Sequence, residues 1–234
     1  MDFKKENEDF CMRNKTYAGV IFDMDGTLLY TIDDIAKSVN LTLAEFGYPE
    51  RTLDEVRSFV NNGAYRLMEL ALPEDARDRD NVTAKLARYL EIYDEHVCEK
   101  THPYDGIAAL VAHLKAAGVK LAVVSNKPDR QAKTLAAHCF GEGTFSYVSG
   151  TGIGLPTKPE PACIDRALAV LGLEKDEILY VGDSYVDVLT AKNSSLDCAG
   201  VLWGFAGEHS FDEYQPDFTV RTAEELESLI LSGI

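Results

Sequence analysis

The spacing of apolar residues along this chain falls into three successive patterns. Over residues 17–22 they form an unbroken run, the pattern of a short strand buried on both faces. From Ile35 they recur every three or four residues, through Val39, Leu43 and Phe46, with Asp33, Asp34 and Lys37 between them. That is an amphipathic helix, ended by Gly47-Tyr48-Pro49. Thr52-Leu53-Asp54-Glu55 has capping-box spacing and predicts a short helix to about Val60, broken at Asn61-Asn62-Gly63. Leu67, Leu70 and Ala71 open a further apolar face. A long charged helix is predicted over about 79–99, with Leu86, Leu90, Tyr93 and Val97 on one side.

From Gly106 strands and helices alternate. Helix faces lie at 107–114 and 164–171, closed by Gly118 and Gly172, and Pro128 suits the start of a helix running to about 139. Apolar strands are predicted at 119–124, 145–149, 178–181, 199–203 and 217–220, before a terminal helix opened by Thr222. Such alternation implies an α/β fold, a Rossmann-like, mainly parallel sheet. The stretch from 31 to 101 shows no strand pattern and reads as an inserted small all-helical cap. The predicted organisation is an N-terminal leader (1–16), a core (17–30 and 102–234) and a helical cap (31–101) placed to act as a lid.

Composition narrows the partners. A formal net charge of −16 without any Lys/Arg cluster argues against nucleic acid, and an anionic ligand would need local cations to draw it in. No apolar run approaches the ~20 residues of a membrane span, and the charged first residues lack the apolar centre of a secretory signal. Five scattered cysteines without a Cys-x-x-Cys pair argue against a disulfide framework or a zinc site, and point to the cytoplasm. A monomer and a homodimer are both compatible with the sequence.

The chemistry is concentrated where strands end. Asp23 and Asp25 follow the first strand, one residue apart, and Gly26 permits the turn that would let them converge. Ser125 follows the second core strand, Lys158 lies in a later loop, and Asp183 and Asp187 follow the strand at 178–181. Individually these are ordinary turn, cap or solvated residues. In a parallel sheet, however, the carboxyl ends of strands share one edge, where ligands bind. Clustered carboxylates repel unless a cation or a shared proton intervenes. The pattern therefore suits a nucleophilic carboxylate, a second carboxyl group as proton donor and base, and a hard cation such as Mg²⁺.

Asp23-Met24-Asp25-Gly26-Thr27 resembles the signature of the haloacid dehalogenase-like (HAD) hydrolases. Val123-Val124-Ser125-Asn126-Lys127, Lys158-Pro159-Glu160-Pro161 and Gly182-Asp183-Ser184-Tyr185-Val186-Asp187 resemble the other three motifs, in order. The helical insertion just after the first motif resembles the family's small-cap arrangement. The resemblance implies a phosphatase in which Asp23 attacks phosphorus to give an aspartyl-phosphate, while Asp25 protonates the leaving oxygen and then activates water. It implies Mg²⁺ held by Asp23, the main-chain carbonyl of Asp25 and Asp183, with Asp187 as a ligand or supporting group. Ser125 and Lys158 are implied as catalytic and substrate-binding residues, with Asn126 beside them.

Dehalogenases of the superfamily lack the second aspartate, so Asp25 favours a phosphate ester. The cap stretch 59–72 and Ser125-Asn126-Lys127-Pro128 resemble the phosphoglycolate phosphatase group, which implies a small phosphorylated metabolite. That group usually has Gly where this chain has Asn61, and commonly Asp-Ser where it has Tyr30-Thr31. Asn62 is then the expected contact for a distal carboxylate. Two other readings compete: a sugar-phosphate mutase of the same fold, whose basic cap signature is missing, and a phosphoacceptor signalling domain, which needs neither Asp25 nor a lid.

Overall fold

The structure is a computed structural model that describes residues 15–152, 154 and 156–232. The leader expected over 1–16 therefore falls almost wholly outside the described residues. Strand β1 (Gly19–Phe22) is followed by a two-residue strand β2 (Leu29–Tyr30) and four helices: α1 (Ile32–Glu45), α2 (Leu53–Phe59), α3 (Gly63–Ala71) and α4 (Arg79–His96). The chain returns through β3 (His102–Pro103) to α5 (Ile107–Ala116), β4 (Lys120–Pro128), α6 (Asp129–Phe140), β5 (Tyr147–Thr151) and α7 (Ala162–Leu171). Strand β6 (Ile178–Gly182), α8 (Tyr185–Ser194), β7 (Asp197–Val201), β8 (Phe218–Val220) and α9 (Ala223–Ser232) complete it.

Six strands form one sheet in the order β5-β4-β1-β6-β7-β8, with every pairing parallel. Buried side chains alternate between its faces. Val20 and Phe22 join one apolar cluster with Leu179 and Val181, whereas Ile21 joins another with Ile178 and Tyr180. Helices covering both faces explain why these strands read as continuous apolar runs rather than alternating ones. The chain builds outward from β1 to β5, then returns to the other flank at β6. That reversal opens a crevice at the carboxyl ends of β1 and β6.

The four helices of the insertion lie between β2 and β3, which pair antiparallel as Leu29↔Pro103 and Tyr30↔His102. A ribbon this short carries no strand signal in the sequence. The buried Asp34 carboxylate reinforces it, accepting the N–H groups of Lys100 and Thr101 and the Thr101 hydroxyl at 2.8–3.1 Å. Thr52 and Glu55 form the expected capping box on α2. Phe46 does not join the core; it is exposed at the end of α1, under the Lys85 ammonium. Helix α4 buries Val82, Tyr89, Ile92 and Tyr93 most deeply, leaving Leu86 and Leu90 half-buried. Tyr93 and Val97 are buried as expected, and the inward face widens to take in Val82, Tyr89 and Ile92 because α4 packs on both α1 and α3 and also reaches the sheet crevice.

Candidate active site

Past Phe22 the backbone turns sharply. The Met24 carbonyl accepts the N–H groups of Thr27, Leu28 and Leu29, and Gly26 sits at φ +83°. A Cβ at Gly26 would come within 2.3 Å of an Asp183 carboxylate oxygen, so this position requires glycine for space as well as for conformation. The turn leaves Asp23 and Asp25 both buried at the crevice.

Strand β4 loses register with β5 between Val124 and Pro128, an irregularity that coincides with Ser125-Asn126-Lys127. Such breaks re-aim side chains beside active sites. Ser125 and Lys127 line the cleft with Asp23 and Asp25. The Asn126 side chain is held by backbone groups: Oδ1 accepts the Lys158 N–H at 2.9 Å, and Nδ2 donates to the carbonyls of Asn61 (3.0 Å) and Lys158 (3.1 Å).

Lys158 Nζ lies 2.8 Å from Asp23 Oδ1 and 2.7 Å from Asp187 Oδ1. Burial alone would depress this ammonium, but Asp187 and Asp23 outweigh it and hold the pKa above the usual lysine range. Asp187 is saturated: Oδ1 also accepts from the Tyr180 hydroxyl, and Oδ2 accepts the Ser184 N–H and hydroxyl. Among the described residues Asp183 receives only the Phe205 N–H at 3.0 Å and a long contact from the Thr27 hydroxyl. Burial, then Asp187 and Asp23, push the Asp183 carboxyl well above its ordinary range. Burial likewise raises Asp23 to about 6, against the opposing pull of Lys158.

One ligand atom from each of Asp23, Asp183 and Asp187 fits within a span of 4.8 Å, all buried. Among the described residues no group donates a hydrogen bond to Asp23 Oδ1; Lys158 is close enough for an ion pair but out of line for a hydrogen bond. Among the described residues the four carboxylates Asp23, Asp25, Asp183 and Asp187 are offset by only two buried ammonium groups, Lys127 and Lys158. An all-oxygen donor set with an orphaned oxygen and two uncompensated charges fits a hard divalent cation.

Lys127, to which the sequence gives no role beyond its place in a motif, is the second cation. Its Nζ lies 2.9 and 3.2 Å from the two Asp25 carboxylate oxygens and also meets the Tyr93 hydroxyl from α4. Tyr93 stacks on Tyr89, and both line the cleft. The segment after β7 is a further contributor that sequence reasoning does not reach. Trp203 Nε1 donates to the Thr27 carbonyl, Phe205 N–H donates to Asp183, and Gly204 leaves room for Asp183, since a Cβ there would lie 2.3 Å from the Asp183 Cβ.

The loop 61–63 bends over this site. Asn61 holds φ +92°, a left-handed conformation that explains why glycine is usual there. Asn61 and Gly63 line the cleft. Asn62, the expected carboxylate contact, is instead exposed at the start of α3, where Oδ1 accepts from the Tyr185 hydroxyl at 3.3 Å. Successive residues of a turn point in different directions, and here the middle one faces the rim.

A parallel α/β sheet with clustered carboxylates and a lysine at its switch point defines a class of hydrolase built for phosphoryl chemistry. The sequence profile of the haloacid dehalogenase-like hydrolases matches residues 20–201, and the chain belongs to that family. It is 32% identical over 213 residues to phosphoglycolate phosphatase 1 of Pseudomonas aeruginosa, covering 88% of this chain and 77% of that protein. It is 31% identical over 215 residues to the phosphoglycolate phosphatase of Aquifex aeolicus, covering 90% and 95%. A crystal structure described as that of a candidate phosphoglycolate phosphatase of Lactobacillus delbrueckii superposes with a TM-score of 0.85 at 32% identity, over 92% of this chain and 99% of that one. The chain is a phosphatase, a phosphoric monoester hydrolase. Among the described residues no helix is long and apolar enough to cross a membrane.

Proposed function

We propose that this phosphatase hydrolyses a small phosphate monoester, 2-phosphoglycolate or a close analogue, in two steps through an aspartyl-phosphate on Asp23, with Mg²⁺ as cofactor. The observation that carries this reading is the orphaned, buried Asp23 oxygen beside Asp183 and Lys158. The relatives named above support the choice of substrate. The cation would be held by the carboxylates of Asp23 and Asp183 and by the main-chain carbonyl of Asp25. When bound it neutralises charge on the transferring phosphoryl group. Asp187, its oxygens already engaged, serves by fixing Lys158 and Ser184.

In the first step an Asp23 oxygen forms a bond to phosphorus as the bond to the ester oxygen breaks. Asp25 gives that oxygen its proton. In the second, Asp25 takes a proton from water as the water attacks phosphorus, which releases phosphate and restores the Asp23 carboxylate. Ser125 and the backbone N–H groups near it hold phosphate oxygens, and Lys158 offsets their charge. The helical unit 31–101 acts as a lid that excludes bulk water. The protein works in the cytoplasm as a monomer or homodimer.

The test is phosphate release from a panel of small monoesters with Mg²⁺ and with excess chelator. The expected result is metal-dependent turnover with 2-phosphoglycolate giving the highest kcat/KM. Phosphate release from none of the panel would overturn the reading.

A further inference from the structure

Lys127 is the more informative of the two buried cations. Lys158 is enclosed between Asp23 and Asp187, on the nucleophile's side of the site. Lys127 stands beyond Asp25, with its side chain only 1% exposed, yet it lines the cleft. The cleft that it shares is walled by the apolar side chains of Ile35, Val60 and Leu67 and the two tyrosine rings, and the Tyr93 ring lies directly against the ammonium. Desolvating an ammonium among such groups is costly unless it has a lasting anionic partner. In the first step its partner Asp25 must also engage the ester oxygen, which draws one of its carboxylate oxygens away from the ammonium.

We propose that Lys127, with the Tyr93 hydroxyl beside it, binds the carboxylate of the substrate's leaving group and so selects phosphorylated small carboxylic acids. The inference rests on the phosphatase reading above and assigns the residues that set its specificity. Asp25 must lie within hydrogen-bond reach of the ester oxygen, and Lys127 Nζ is 2.9 Å from Asp25 Oδ1. The ammonium is therefore within about 6 Å of that oxygen. A carboxylate joined to the ester oxygen through one carbon falls in the intervening space. The three N–H donors of the ammonium go to the two Asp25 oxygens and the Tyr93 hydroxyl, so the incoming carboxylate takes the donor that one Asp25 oxygen releases on engaging the ester oxygen, while Lys127 keeps its hold on the other. Tyr93 belongs to α4, so the leaving group is read only when the helical unit sits on the core as it does here.

The experiment compares three esters that differ in leaving-group charge, 2-phosphoglycolate (anionic), ethyl phosphate (neutral) and O-phosphoethanolamine (cationic), on the full chain with Mg²⁺. The wild type is expected to prefer them in that order of kcat/KM. Lys127→Met should lose roughly 10–100-fold more on 2-phosphoglycolate than on ethyl phosphate, and should narrow or reverse the gap to O-phosphoethanolamine. Lys127→Arg should recover part of the preference. Tyr93→Phe, which removes one hydroxyl and leaves the ring stack, should reduce the preference several-fold by raising KM. Equal losses on all three esters in both Lys127→Met and Tyr93→Phe would overturn the proposal, showing that Lys127 serves only to place Asp25. A wild type that turns over the neutral ester as well as 2-phosphoglycolate would also overturn it, while leaving the phosphatase reading intact. Turnover of no ester would defeat that reading, and this proposal with it.

Discussion

Asn126 grips Lys158 by both of its backbone polar groups, accepting its N–H at 2.9 Å and donating to its carbonyl at 3.1 Å. The second Nδ2 hydrogen goes to the carbonyl of Asn61 in the helical insertion. One amide thus joins β4, the Lys158 loop and the loop over the cleft, and both its N–H donors are engaged. A residue in that position acts on the reaction through Lys158.

Asn126→Asp should therefore impair both folding and catalysis. It removes both donors and sets a carboxylate against two carbonyl oxygens. The expected cost is about 1–3 kcal/mol, read from denaturant unfolding, together with a fall in kcat. Unchanged stability and unchanged kcat would show that the amide is not a strut.

The two aspartates of the first motif should separate by leaving group. Asp23→Asn is expected to abolish turnover of every ester, because an amide is a poor nucleophile. Asp25→Asn should lower kcat on an alkyl ester by roughly 10²–10⁴-fold. With p-nitrophenyl phosphate, whose leaving group needs no proton, the same variant should form the phosphoenzyme quickly and hydrolyse it slowly. Rapid-quench trapping measures this directly, and steady turnover by Asp23→Asn would falsify the covalent route.

Asp23 predicts a pH dependence of unusual sign. Its carboxyl is raised from 3.8 to about 6 on folding, mainly by burial. Between those values the native state binds a proton that the unfolded chain releases. This contribution therefore weakens the metal-free protein as pH rises through the window and stays constant above it. Asp183 is shifted in the same direction. Asp23→Asn should accordingly raise the Tm of the metal-free protein at pH 7.5 and leave it nearly unchanged at pH 4. In the wild type, Mg²⁺ should raise Tm more at pH 7.5 than at pH 5, because binding requires the ionised carboxylates. An equal Mg²⁺ shift at both pH values would contradict the assignment of these acids to the metal.

Gly204 should prove as necessary to the metal as a ligand. A methyl group there would overlap the Asp183 side chain, and the strand end that carries Asp183 cannot retreat from a packed sheet. Gly204→Ala is expected to raise the Mg²⁺ concentration for half-maximal activity by roughly tenfold, with a smaller change in KM for the ester at saturating metal. A metal titration of activity tests it; an unchanged midpoint would mean that Asp183 is not a ligand or that the segment yields.

The sequence by itself determined the alternating core, the inserted helices and the groups at the strand ends. Periodicity encodes which faces are buried, and a parallel sheet necessarily brings the carboxyl ends of its strands to one edge. Asp23, Ser125, Lys158 and Asp183 could thus be gathered into one site from strand order alone. Other features depend on distances between elements that share no local pattern. Lys127 meets Tyr93 only because α4 comes down on the cleft. The Trp203-Gly204-Phe205 segment reaches Thr27 and Asp183 only because the chain leaving β7 lies across the carboxyl ends of β6 and β1. Asn62 turns to Tyr185 because a turn sends neighbouring side chains in different directions. Strand ends are placed by the hydrogen-bonded ladder, whereas the contacts across the insertion are placed by how a helical unit, tethered through the β2–β3 ribbon, packs on the core, and only the tertiary structure decides that.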